Sequence, residues 1–130
     1  MKEVIFLDVE ALLAIHARMI QEYGGGTGLR DPGLLESAAA MPAASFGGQF
    51  LHDGIAAMAA AYLFHLCKNH PFVDGNKRTA FTALDVFLRL NGVRLDAAED
   101  EKYQIVLAVV TGQLSFEAIV EWIGSHTHPV

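Results

Sequence analysis

The chain has 130 residues, with 9 Lys and Arg against 15 Asp and Glu, a formal net charge of -6, and a composition that is 52% hydrophobic and 18% charged. This length fits one domain spanning 1–130, able to bury about two thirds of its unfolded surface without a staple. The acidic balance opposes broad binding to a nucleic-acid backbone, which needs clustered Lys and Arg. The longest apolar stretch, Ile55 to Cys67, holds His65 and is shorter than the roughly eighteen residues a bilayer span needs, so no membrane span is expected. No secretory signal is legible at Met1–Asp8, and the lone Cys67 allows no intrachain disulfide, which together indicate a cytoplasmic protein.

Taken in chain order, residues 3 to 7 are too short to classify and form an extended lead-in. Asp8 caps a helix near 9 to 22, in which Leu12, Leu13, His16, Met19 and Ile20 recur at helical spacing before Gly24-Gly25-Gly26. The stretch Gly24 to Gly28 lacks the Lys-Ser/Thr ending of a phosphate loop and follows a helix, so it reads as a flexible connection. Asp31-Pro32 opens a short helix from about 32 to 40, since Asp caps and Pro fits the first helical position. Pro42 ends it, and Phe46-Gly47-Gly48-Gln49-Phe50-Leu51 has the glycines and aromatics of a loop or small hairpin that touches a partner.

Residues 53 to 69 predict a helix with no polar face, which belongs at the centre of a bundle. The next helix runs from Asn76 to Leu90, with Asn91-Gly92 as its stop. Asp96 with Glu99 reads as a capping box ahead of a helix near 97 to 111, and Ser115 caps a last helix before a polar tail, Ser125 to Val130. His126 and His128 in that tail are too few ligands for a zinc site and read as solvated. His16, His52 and His65 have no partner at metal spacing and read as helix or loop side chains. The sum is an all-α chain.

Between the third and fourth helices lie nine residues that gather a base, an acid, a permissive glycine and two cations: His70-Pro71-Phe72-Val73-Asp74-Gly75-Asn76-Lys77-Arg78. Pro71 biases His70 away from the helical region, so His70 stands where a helix breaks. Gly75 can adopt angles closed to other residues, which leaves the amides around Gly75, Asn76 and Lys77 free to point at one ligand. A helix N-terminus carries roughly half a positive charge, so those amides favour an anion. This suits a nucleotide phosphate. Plainer roles compete: His70 as a mere helix end, Asp74 as an N-cap that satisfies the amides of Asn76 or Lys77 itself, and Lys77 as a solvated side chain. Asn76 reads as either a phosphate ligand or a loop-fixing hydrogen bonder. Lys77 and Arg78 suit the charge on a transferring phosphoryl group, Arg78 more strongly through its planar fork. Phe72 reads as a core anchor.

This stretch resembles the signature of the Fic superfamily, His-Pro-Phe-x-Asp/Glu-Gly-Asn-Gly/Lys-Arg between two helices of an all-helical domain, and matches it throughout. Lys77, the continuation Arg78-Thr79-Ala80 and the run Phe87-Leu88-Arg89-Leu90-Asn91-Gly92 are similar to the death-on-curing (Doc) toxin branch. So is Gly28-Leu29-Arg30-Asp31-Pro32-Gly33-Leu34-Leu35-Glu36-Ser37-Ala38, followed by Pro42 and Phe46-Gly47. Pro71 and Gly75 keep the general Fic form, so the transferred group stays open. The resemblance covers residues from about 5 to 124.

It implies a compact Fic-fold bundle of about six helices with a small loop or hairpin flap at 42–52 that aligns an extended target peptide. It implies a general base at His70, a role worth about 10²- to 10⁴-fold, catalytic help from Arg78, and Mg²⁺ held by Asp74. Phosphate binding falls to Gly75, Asn76, Lys77 and Arg78, with ATP as substrate. The implied function is a Doc-like toxin of a toxin-antitoxin pair, which transfers a phosphoryl group from ATP to a hydroxyl of a target protein, a translation elongation factor. AMP transfer to a protein hydroxyl and a non-enzymatic binding module are the alternatives. The chain has no Ser/Thr-x-x-x-Glu-Gly/Asn string of the autoinhibited relatives, so restraint in trans by a small antitoxin is expected.

Overall fold

In the computed structural model, which describes residues 3–130, Asp8 accepts the amide of Ala11 at 2.9 Å and opens helix α1 (Val9–Tyr23). Leu12, His16 and Ile20 are its buried stripe, at the i, i+4, i+8 spacing of one helix face. Asp31 accepts the amide of Leu34 at 3.0 Å and starts α2 (Pro32–Ala40), which buries Leu35 and Ala38. A 3₁₀ turn at Met41–Ala43 with buried Pro42 leads into the hairpin β1 (Ser45–Phe46) and β2 (Gln49–Phe50). Its register pairs Ser45 with Phe50 and Phe46 with Gln49. Gly47 and Gly48 have φ of 60° and 81°, and positive φ at both central positions is what a two-residue hairpin turn of the primed type demands.

Helix α3 (Ile55–Asn69) buries nine residues around its circumference and packs against α2 and against α4 (Asn76–Leu90). Strand β3 (Val93–Leu95), helices α5 (Glu99–Val110) and α6 (Phe116–Ser125) and strand β4 (Thr127–Pro129) complete the chain. Helices α5 and α6 also lie against α3, so the apolar helix is the axis of the bundle, as its all-round hydrophobicity predicts. The fold is helical, with two small antiparallel sheets. Among the described residues no helix is long and apolar enough to cross a membrane.

The lead-in at 3–7 is tied down by side chains rather than by a sheet. The Tyr62 hydroxyl accepts the amide of Leu7 at 2.7 Å and donates to its carbonyl at 3.1 Å. Burial pushes the Tyr62 phenol up to about 12. Asn91 does the same for Ile5, accepting its amide at 2.8 Å and donating to its carbonyl at 2.9 Å. Asn91 thus stops α4 and anchors the chain start.

Two expectations are corrected. The capping box sits two residues later than Asp96 and Glu99: the Glu101 carboxylate accepts the amide of Ala98, the N-cap of α5, at 2.9 Å. The Asp96 amide instead donates to His126 at 2.7 Å. That bond marks the second correction, because the tail is not a solvated extension. β4 pairs with β3 in the register Val93–Pro129, Arg94–His128, Leu95–Thr127. His126 stacks on Trp122, with ring centroids 4.2 Å apart, and approaches Glu101 at 3.2 Å, while His128 lies 3.7 Å from Asp96. Strands of three residues carry too little alternation to be read from sequence.

Candidate active site

The loop that follows α3 is held in an uncommon shape by the segment before α2. His70 has φ 50° and ψ 55°, left-handed, and is the one non-glycine residue with positive φ among those described. For a residue with a Cβ this costs about 1–2 kcal/mol, so neighbours must hold it. Arg30 donates from Nε to the His70 carbonyl at 2.7 Å and from Nη2 to the Asn69 carbonyl at 2.8 Å. The Pro71 carbonyl accepts the amides of Arg30 and Asp31 at 2.7 and 3.0 Å, and Val73 donates to Gly28 at 2.9 Å. Asn69 reaches across to the Leu34 carbonyl at 2.9 Å. The last carbonyls of α3, which a helix end leaves unpartnered, are thereby satisfied by Arg30.

Asn76 closes the loop from the other side. Its side chain is buried, accepts the Phe72 amide at 3.0 Å and donates to the Phe72 carbonyl at 2.9 Å. Both of its polar side-chain atoms face the loop, so of the two readings of Asn76 its side chain takes that of loop-fixing hydrogen bonder. The Phe72 ring is buried as the expected anchor, sandwiched flat against His16 with centroids 3.8 Å apart and planes 4° from parallel. His16 Nε2 lies 2.8 Å from the Asp74 carbonyl, which as an acceptor requires the ring to donate there. Sequence reasoning missed both His16 and Arg30 as site supports. His16 lies at a buried α1 position, and nothing in its spacing announces a partner 58 residues away.

Gly75 is the N-cap of α4, with φ 77° and ψ 16°, and it supplies no side-chain cap. Asp74 does not fill that role. Its carboxylate accepts the Gly75 amide at 3.1 Å through Oδ1 and the Gly26 amide at 3.2 Å through Oδ2. The amides of Asn76, Lys77 and Arg78 make no hydrogen bond among the described residues, so the positive end of α4 stands open. A side chain at Gly75 would bring a Cβ within 3.1 Å of Ile20 Cδ1, and one at Gly25 within 2.7 Å of Asp74 Oδ2. The Gly24–Gly28 stretch is therefore a wall fitted to the motif, where the sequence predicts a flexible connection.

His70, Val73, Asp74, Gly75, Asn76, Lys77 and Arg78 together line one shallow cavity of about 220 Å³. His70, Asp74, Lys77 and Arg78 are exposed at its rim. Among the described residues no carboxylate lies within ion-pair distance of Lys77 or Arg78; the Arg78 guanidinium instead rests 3.9 Å above the Tyr23 ring. An acidic chain thus presents two free cations and an open helix end at one spot, which fits a polyanionic ligand of limited size. No group of three or more His, Cys, Asp or Glu able to hold a metal by itself occurs among the described residues. Asp74 alone, with its oxygens turned to the cavity wall, fits a hard cation only if phosphate oxygens complete the shell, which is how Mg²⁺ is usually held.

A mainly helical bundle thus sets an uncapped helix end beside a histidine, an acid and two cations. The chain belongs to the Fic/DOC family, whose family model matches residues 6–88. It is 46% identical over 78 residues to the Toxin Doc of Mycolicibacterium smegmatis, an alignment that spans 60% of each chain. It is 32% identical over 112 residues to the protein kinase doc of Escherichia phage P1, covering 86% of this chain and 87% of the phage protein.

Proposed function

We propose that this chain is a Doc-like toxin that transfers the terminal phosphoryl group of ATP to a hydroxyl of a target protein. The observation that carries the proposal is the open N-terminus of α4: Gly75 as a cap without a side chain, three unpartnered amides, and His70, Asp74, Lys77 and Arg78 around one phosphate-sized cavity. The similarity to a Toxin Doc and to a protein kinase doc supports it.

In this reading the amides of Asn76, Lys77 and Arg78 bind the oxygens of the transferring phosphoryl group and stabilise the charge that builds there. Lys77 adds a compact charge and Arg78 a fork, while Tyr23 and Phe72 set the directions of Arg78 and the loop. His70 accepts the proton of the target hydroxyl as its oxygen bonds to the γ-phosphorus and the bond from that phosphorus to the departing ADP breaks. Asp74, held by Gly26 and Gly75, is the residue that would share Mg²⁺ with the phosphates, which supplies further charge neutralisation when bound. The hairpin β1–β2 carries Phe46 at 83% exposure and offers an edge to which an extended target segment can add. A translation elongation factor as target and a small antitoxin as restraint complete the proposal, on the family resemblance.

The test incubates the purified protein, beside His70→Ala, with Mg²⁺, bacterial lysate and ATP labelled at the α- or the γ-phosphate. Label transferred to protein from the γ-position alone, and lost in His70→Ala, is the expected result. Label from the α-position would replace phosphoryl transfer with AMP transfer. Absence of label from either would leave a binding module and end the catalytic reading.

A further inference from the structure

His70 occupies a place that a glycine would fill without strain. Helices commonly end on a residue in the left-handed region, usually Gly. His70 ends α3 there, with φ 50° and its amide bonded to the Leu66 carbonyl at 3.3 Å. A general base is ordinarily aimed by a third group that bonds its ring. Among the described residues no group bonds either ring nitrogen of His70, so the direction of the imidazole is left to the backbone it stands on. The grip on that backbone comes from Arg30, whose Nε and Nη2 donate to the carbonyls of His70 and Asn69 at 2.7 and 2.8 Å. We infer that Arg30 is the positioning residue of His70, doing through the main chain what a hydrogen-bonded side chain does for other bases. The inference rests on the reading of His70 as general base and adds to it what aims that base.

Three observations separate this role from general support of the loop. The main chain around Arg30 has its own pairing with the motif: the amides of Arg30 and Asp31 donate to the Pro71 carbonyl, Val73 donates to the Gly28 carbonyl, and Leu29 bridges Phe72. That pairing needs no Arg30 side chain, so the loop stays attached from Pro71 onward when the side chain is cut back. The His70 carbonyl, in contrast, has no partner other than Arg30 among the described residues. Arg30 is also exposed, so truncating it opens no cavity in the core. A guanidinium suits this place because its fixed fork reaches two carbonyls at once, whereas a lysine ammonium is a single point of charge on a flexible stem. Asp74 is held by other residues, its carboxylate by the amides of Gly26 and Gly75 and its carbonyl by His16. Loss of the Arg30 side chain therefore reaches the base and spares the groups that bind phosphate.

The test follows label from γ-labelled Mg²⁺-ATP into bacterial lysate protein, as initial rate against ATP concentration, for the native chain, Arg30→Ala and Arg30→Lys, with urea unfolding of each alongside. A reacting group displaced by about 1 Å can cost about 10²-fold in rate. Arg30→Ala is therefore expected to lower the maximal rate about 10- to 100-fold and to leave the half-saturating ATP concentration within about twofold of the native value. Millimolar guanidinium, which returns the fork without its tether, is expected to restore part of that rate and leave the native chain unaffected. Arg30→Lys keeps the charge without the fork and should recover only part of the loss. An Arg30→Ala maximal rate within about twofold of the native one would overturn the inference. A native rate in Arg30→Lys would overturn it too, because charge alone would then suffice. So would a rate that falls together with the unfolding midpoint and does not respond to guanidinium, the mark of a general loss of structure. A native chain that transfers no γ-label would instead sink the phosphoryl-transfer reading on which the inference rests.

Discussion

Replacing Asn76 by Ala isolates what holds the motif loop in shape. The side chain is 5% exposed and makes two bonds to one residue, at 3.0 Å from the Phe72 amide and 2.9 Å to the Phe72 carbonyl. Its removal leaves both backbone groups without a partner beside a buried phenyl ring. Each buried unsatisfied group costs about 1–3 kcal/mol. The two groups share one site, and loop relaxation recovers part of the loss, so about 2–4 kcal/mol is expected in total. That is a large share of a typical stability of about 5–15 kcal/mol. Urea unfolding of the native chain and Asn76→Ala reads the difference as a fall in midpoint at unchanged slope. Asn76→Asp is the sharper control. It is nearly isosteric and keeps the acceptor for the Phe72 amide, but it sets a carboxylate oxygen against the Phe72 carbonyl, so it should be destabilised as well. A loss below about 0.5 kcal/mol in Asn76→Ala, the size of an ordinary surface substitution, would show that the loop stands without this clamp and refute the reasoning.

Two further outcomes follow from the geometry. The Glu101 carboxylate is held below its ordinary 4.5, first by the Ala98 amide and then by His126. A carboxylate depressed in the folded state contributes stability that is present above its unfolded value and is lost as pH falls through the folded one. Unfolding followed from pH 6 downward should therefore show a steeper loss below about pH 4.5 in the native chain than in Glu101→Gln; parallel curves would remove Glu101 from the acid limb. Burial pushes the Cys67 thiol up to about 12, against the opposing pull of Lys77 and Lys68. The thiol should resist iodoacetamide in the native state at pH 8 and react on unfolding, as mass spectrometry before and after urea would show; rapid native labelling would contradict the packing.

Much of this architecture is local and so was legible. The spans of α2 and α4 follow from Asp31-Pro32, Asn76 and the Asn91-Gly92 stop, and the caps at Asp8, Asp31 and Ser115 are occupied as their residue types predict. The uniform apolarity of 55–67 placed α3 at the centre. Gly47-Gly48 between aromatics left a loop or a small hairpin open, and the pairing of β1 with β2 is the hairpin. The motif was found because its members are contiguous, and a loop of nine residues can bring a base, an acid, two cations and a helix end together without help from distant chain.

What the sequence by itself determined is thus the set of helices, their order and the chemical content of the loop at 70–78. Tertiary structure alone decided how that content is used. Asn76 turned inward onto Phe72, Asp74 took the amides of Gly26 and Gly75 instead of capping α4, and Arg30 and His16 became supports of the loop from 40 and 58 residues away. The glycines at 24–28 became a fitted wall, and the tail at 127–129 became a strand beside β3. The physical reason is range. Caps, turns and periodicity depend on neighbours within a few residues, whereas the partner of a polar atom in a packed interior is chosen by which donors and acceptors the fold brings within about 3 Å, and no local pattern encodes that choice.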